Sequence, residues 1–234
     1  MNESPKRGCS KLAIITVSVL VVIACVMAVA AYREVKQRMD LLRAGNNVRC
    51  ICIATKAYAG DHDGIYPDED ASKPQTANQA YRVLFRRSLI SDEIVKGNES
   101  DEEGFSFGCP NSPFIPDGDI GTAPDYTDAL TAGECHWALT KGLRDDSDGN
   151  APLIFENPNG HTWPPVWNCD AANQPVHGRA WRGGYIIVGR NDGSNMPERL
   201  SATQGTHVGL QTDANGKDVF THWQAKGDFL DVER

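Results

Sequence analysis

Leu12–Tyr32 reads LAIITVSVLVVIACVMAVAAY, an uncharged stretch whose only polar interruptions are Thr16 and Ser18. A helix rises about 1.5 Å per residue, so about 20 such residues cover the roughly 30 Å hydrocarbon core of a bilayer. No later segment repeats this pattern, which predicts one transmembrane helix. Basic residues flank both ends: Lys6, Arg7 and Lys11 before it, Arg33, Lys36, Arg38 and Arg43 after it. The Lys/Arg bias that orients membrane proteins therefore does not decide the topology alone.

The residues ahead of the span admit three readings. An uncleaved signal-anchor fits its full spanning length. A lipoprotein signal would use Val22-Ile23-Ala24-Cys25 as its lipobox, although apolar residues continue well past Cys25. A prepilin-type leader would be cleaved after Gly8. A conventional secretory signal is the weakest reading, because no small-x-small site leads directly into polar sequence.

Past Tyr32 the pattern becomes amphipathic. Val35, Met39, Leu42, Val48, Ile51, Thr55 and Tyr58 recur mostly at three- and four-residue steps, and no proline intervenes between Pro5 and Pro67. This predicts one helix from about Leu12 to about Ala59, about 70 Å long if unbroken, with a possible kink at Gly45-Asn46-Asn47. Asp61-His62-Asp63-Gly64 ends it and Tyr66-Pro67 begins an extended segment. A second helix is expected at Ala77–Leu89, with Asn78 as its cap and Ala80, Val83, Leu84 and Leu89 inward. Strand-length apolar runs follow at Trp137–Leu139, Leu153–Phe155, Tyr185–Val188, Val208–Leu210 and Asp218–Thr221. The expected fold is α+β: a long N-terminal helix, half transmembrane and half amphipathic, packed on a small loop-rich antiparallel sheet. Residues 1–11 form the tail or leader, 12–32 the membrane helix, 33–60 its amphipathic continuation and 61–234 the globular domain.

The order of motifs after the span resembles that of pilin-like proteins, specifically the type II secretion pseudopilin-like proteins of planctomycete and verrucomicrobial bacteria. The stretch from Asn47 to Pro67, ending Tyr58-Ala59-Gly60-Asp61-His62-Asp63-Gly64-Ile65-Tyr66-Pro67, is similar to the end of their first helix. Phe107-Gly108-Cys109-Pro110 resembles their Phe-x-Cys-Pro element, and His136-Trp137-Ala138-Leu139 the strand that follows. Arg182-Gly183-Gly184-Tyr185 through Asn191-Asp192-Gly193-Ser194 resembles their terminal hairpin. The likeness covers roughly residues 12–195. It implies a pilin-like fold, a structural or interaction role in a type II secretion system, and pilin-like subunits as partners. It also implies residence in the bacterial inner membrane with the domain outside the cytoplasm. The front departs from the pattern, because a pilin's Gly-Phe-Thr-Leu-Ile-Glu is here Gly8-Cys9-Ser10-Lys11-Leu12-Ala13. The carboxylate that would pair with a neighbour's N-terminal amine during assembly is replaced by Ala13.

Charge and motif content narrow the chemistry. The net charge is −8, yet residues 1–49 hold eight basic and three acidic side chains, leaving the remainder near −13. Such a domain repels nucleic acid, so membrane lipid along Leu12–Tyr32 is the partner read directly from the residues. No nucleophile elbow, phosphate loop or metalloprotease helix occurs, and the reading is of a non-enzyme without catalytic residues, cofactor or metal. A cryptic hydrolase would require histidines and acids to converge in one pocket. His62, His136, His161, His177, His207 and His222 lack zinc spacing. The loops Asp61–Gly64, Asp145–Gly149 and Asp213–Gly216 are calcium-like in composition but read as Asp-Gly and Asn-Gly turns. Cys50 and Cys52 point to different sides of the helix and are expected in packing roles. In an exported domain, Cys109–Cys135 is the preferred disulfide. Trp163, Trp167 and Trp181, with Pro164 and Pro165, either pack under a loop or form a binding module for a sugar or peptide on a lipid- or signal-anchored protein.

Overall fold

The computed structural model describes residues 11–90, 107–223 and 227–234, with side chains from residue 14 onward. The chain divides into two compact units that meet between Asp40 and Leu41. The first unit, up to Asp40, holds the N-terminal part of helix α1, whose full span is Lys11–Gly60.

The second unit contains the rest of α1 and everything after it. A 3-10 turn at Pro67–Glu69 precedes α2 (Ala77–Arg86), and β1 (Trp137–Thr140), β2 (Pro152–Glu156), β3 (Tyr185–Arg190) and β4 (Asn195–Arg199) follow. A single turn of helix, α3 (Val219–His222), and β5 (Phe229–Leu230) complete it. The five strands form one sheet in the order β4-β3-β2-β1-β5, antiparallel throughout. The architecture is α+β, a long N-terminal helix packed on a small antiparallel sheet.

Alternation along the strands separates two cores. Leu139, Ile154, Ile187 and Leu230 face α1 and α2, meeting Ala44, Val48, Ile51 and Cys52 from α1 and Ala80 and Leu84 from α2. Ala138, Phe155, Ile186, Val188 and Phe229 face the other side, where Trp167, Leu200, Leu210 and Phe220 cover them. The β2–β3 register shifts between Pro152 and Ile154, a bulge that lets Leu153 and Ile154 both enter the helix-side core.

Several local expectations give way to packing. The helix continues through Gly45-Asn46-Asn47 without a break. Gly45 serves close approach instead, since a Cβ there would stand 2.8 Å from Asn195 Oδ1. Asn47 donates its amide to Gly108 O at 3.1 Å. The cap of α2 is Thr76, which accepts from Gln79 N, while buried Asn78 donates to Leu130 O and Thr131 O. Asp218–Thr221 is no strand: Asp218 and Thr221 form a capping box that starts α3. Val208 and Leu210 make only isolated bridges, to Trp167 and Leu200. Strands β4 and β5 were not anticipated. Pro197 is tolerated in β4 because that strand is at the sheet edge. The helix end is as expected: Gly64 (φ 77°) donates to Ala59 O and packs so closely that a Cβ would collide with Asp145.

The helix and sheet approach closely at Gly189, where a Cβ would lie 2.6 Å from Cys52 Sγ and 3.3 Å from Val48 Cγ2. Gly189→Ala is expected to cost about 1–3 kcal/mol through overpacking, read by urea unfolding of the detergent-solubilised chain. Adding Cys52→Ala should recover part of that loss. Fully additive losses would disprove the contact.

Candidate functional site

Two features stand out: an uncovered apolar helix in the first unit and a buried charged cluster in the second. In the apolar helix, the most hydrophobic 18-residue window has a mean hydropathy of 2.9 and no buried share. Ile14, Leu20, Val22, Val26 and Met27 are all about half or more exposed. The helix is long and apolar enough to cross a bilayer, and its internal hydrogen bonds would satisfy the backbone there. Tyr32, 68% exposed, ends the apolar run, at the place where an amphipathic ring suits a membrane–water boundary. The next turns carry pairs four residues apart, Arg38–Glu34 at 2.6 Å and Lys36–Asp40 at 3.1 Å. In the second unit, the outward side of α1 exposes Leu42 (70%) and Ile53 (55%). Eleven residues bring a helix back to nearly the same azimuth, so the two share one side.

The charged cluster gathers around Glu156 at the end of β2. One carboxylate oxygen accepts the indole N–H of Trp181 and the Ile187 amide, the latter at 3.1 Å. The other accepts Arg179 Nη1 at 3.2 Å. Arg179, itself buried, also donates to Pro110 O (2.8 Å), Asn111 O (3.2 Å) and Cys109 Sγ (3.2 Å), and lies 4.2 Å from the Trp181 ring centroid. His136 Nε2 is 3.6 Å from Glu156 Oε2, too far for a hydrogen bond, and is buried without a partner.

A hydrogen-bond network holds the His136 ring. Asn157 Oδ1 accepts the Gly178 amide at 2.7 Å, so its NH₂ must face His136, 2.9 Å from both Nδ1 and the carbonyl oxygen. Ser112 Oγ stands 2.7 Å from the same Nδ1. Burial holds the ring neutral, moving its pKa down to about 4 despite the pull of Glu156. Burial works against the Glu156 carboxylate too, but Arg179, with His136 and Trp181, outweighs it and keeps its pKa below the ordinary value.

Cys109, His136 and Glu156 place one donor atom each within 4.8 Å of one another, a grouping the His and Cys spacings gave no sign of. These residue types suit a soft cation, but the arrangement does not. The Arg179 guanidinium already bridges the sulfur and the carboxylate. The cluster is an internal ion network.

The remaining sequence candidates are dispersed. Cys109 and Cys135 are not joined, since the buried Cys135 thiol donates to Trp137 O instead. Cys52 is buried as expected for packing, whereas Cys50 is exposed. Trp167 and Trp181 lie in different cores and Trp163 is half-buried against Phe220, so the segment presents no aromatic platform. Asp148 and Asp213 cap their own turns, accepting from Asn150 N and from Asn215 N and Lys217 N. His161 pairs with Asp228 at 3.1 Å, and His222 faces Asp213 at 3.6 Å along an open groove of about 590 Å³. Gly8 and Cys9, on which the leader reading turns, lie outside the described residues.

Compared with protein families, curated proteins and solved structures, the chain matches none.

Glu156→Gln should cost about 3–5 kcal/mol, because it strands the buried Arg179 charge. Unfolded His136 would titrate near 6.5 but folded His136 only near 4, so the unfolded state binds the extra proton between those values. Its contribution is present above about 6.5 and lost as pH falls toward 4. Thermal melts of His136→Gln should show a shallower acid-side slope than wild type over that window. An unchanged slope would contradict the assignment.

Proposed function

We propose that this chain is a single-pass, membrane-anchored, pilin-like protein with a structural or interaction role rather than a catalytic one. Its short N-terminal tail lies in the cytoplasm and its globular domain outside the bacterial inner membrane, beside pilin-like subunits of a type II secretion system. The observation that carries this reading is the double use of one helix. Among the described residues none covers 14–32, while residues 44–59 of the same helix supply one side of the domain's core.

The segments that carry the family resemblance also have structural duties, which supports the reading. Asp61–Gly64 turns the chain out of α1. Tyr66 donates to Asn191 Oδ1 at 2.7 Å, and Asn191 in turn donates to Arg144 O and Ser147 O at 3.0 Å. Cys109-Pro110 is tied to the sheet through Arg179. Ala13 offers no carboxylate to a neighbouring subunit's amine, which favours an accessory component over a filament-forming one. The uncovered Leu42 and Ile53 are the side chains best placed to meet a partner's stem.

Fractionation of bacteria expressing the full chain tests the anchor and the topology together. The protein should resist alkaline carbonate extraction, and protease added to spheroplasts should remove the domain. Val21→Arg with Val22→Arg should release most of it, because each central arginine costs about 2.5–3.5 kcal/mol of insertion free energy. Wild-type protein recovered in the carbonate supernatant, or a domain shielded from protease, would refute the reading.

A further inference from the structure

We propose that the open groove beside Trp223 is a binding site for a neutral oligosaccharide. The groove, of about 590 Å³, lies wholly in the second unit, so binding there does not depend on the membrane span. Its volume falls among those of ligand clefts, about 300–1,000 Å³. Its wall is built by the β1–β2 turn (Asp148, Asn150), the β3–β4 pair (Arg190, Glu198, Arg199), the 211–217 loop and α3 with Trp223.

The charges of the wall nearly balance. Asp148, Glu198, Asp213 and Asp218 stand against Arg190, Arg199 and Lys217, with His222 beside them, in a domain that is otherwise strongly acidic. A ligand of either sign would meet like charge there, whereas an uncharged one would not. Much of the wall's hydrogen-bonding capacity is unspent. Among the described residues, the side chains of Arg199, Lys217 and Gln211 have no partner. Arg190 gives Nη2 to Glu198 at 2.7 Å and Nη1 to Asn150 at 3.3 Å, but its Nε is buried and unpaired. The Asp148 and Asp218 carboxylates accept backbone amides on Oδ1, which leaves Oδ2 as an acceptor. A sugar hydroxyl both donates and accepts, and so matches a wall that offers free donors and free acceptors side by side.

The second observation is Trp223. It is half-buried, packed in part on the helix-side core, and it lines the groove. An indole supplies the flat apolar surface that the C–H face of a sugar ring requires. The wall's other apolar residues are only Ala151 and Val219, too small a floor for a lipid chain. A peptide added as a strand is also met poorly. Although β4 is the sheet edge, its Arg199 O already accepts Gln211 N at 2.8 Å, and Pro197 has no N–H to give.

The test is saturation-transfer NMR of the full chain in a detergent without sugar headgroups. Cellotetraose, chitotetraose and maltotetraose are the probes, with tetragalacturonate as the charged control and tetraserine as the peptide control. At least one neutral tetrasaccharide should receive saturation, and tetragalacturonate should bind no tighter than it. Trp223→Ala should weaken binding at least about tenfold. Because Trp223 also packs on the core, the exposed pair Arg199→Ala with Gln211→Ala is the independent variant, expected to weaken binding at least about fivefold through two lost hydrogen bonds. Absence of transfer to all three neutral sugars at about 5 mM would overturn the proposal. So would tighter binding of tetragalacturonate or tetraserine, or an affinity unchanged in the folded exposed-pair variant.

Discussion

The domain depends on how closely α1 can lie against the sheet. At Gly189 the strand has no side chain, and Cys52 and Val48 fill the place where one would be. The rest of the contact follows the same rule, with small residues where backbones approach: Ala44 and Gly45 near the β3–β4 turn and Ala59 at the helix end. Close packing of this kind maximises dispersion contacts and punishes a single added methyl. Lys56, reaching Asn191 O at 2.7 Å, and Tyr66 on Asn191 Oδ1 then fix the hairpin end of the sheet to the end of the helix. The consequence is that residues 41–60 are part of the domain, not a stalk beneath it. A soluble version must be cut ahead of Leu41 to keep its core.

A second constraint holds the loops. Arg179 joins the 109–111 backbone to Glu156 at the sheet, and Asn157 joins His136 to the Gly178 amide. Burying a full ion pair gives little net stability compared with an apolar substitute, because both charges lose water. Its effect is on specificity, since any other arrangement of these loops leaves a charge or a carbonyl unsatisfied in the interior. The same arrangement places a cation against a half-buried sulfur.

Legibility followed the range of the interactions. The helix was readable because its apolar spacing and the absence of proline are local facts, and β1, β2 and β3 because their runs are bounded by turn residues. Strand β4, Asn-Met-Pro-Glu-Arg, has poor strand propensity and exists only because β3 and the Asp192-Gly193 turn template it. Two-residue β5 has no local signal and depends on pairing with Leu139 and Thr140. The α3 turn was readable in principle, since Asp218 and Thr221 have capping-box spacing, but the apolar Val219-Phe220 step suggested a strand. Nothing local announces the charged cluster: Glu156 and Arg179 are 23 positions apart, and Cys109 is 70 from the arginine that touches it. The Cys109–Cys135 pairing failed for the same reason, as composition says which thiols exist and not which way they point.

On the proposed reading, the uncovered side of α1 in the second unit would serve as a partner face on the helix that anchors the chain. Covering Leu42 and Ile53 would yield about 1.5–3 kcal/mol each. Association in solution costs about 4–15 kcal/mol of translational and rotational freedom. Two side chains in water therefore do not hold partners together, and the exposed Arg49 beside them adds a solvation cost to any contact. Confinement changes the balance. A membrane span fixes depth, removes one translational degree of freedom and most of the tilt, and turns a weak lateral contact into one at high effective concentration. If the chain is anchored as proposed, a small apolar stripe of this kind would be enough for recognition between anchored chains and too little for aggregation of a detached domain.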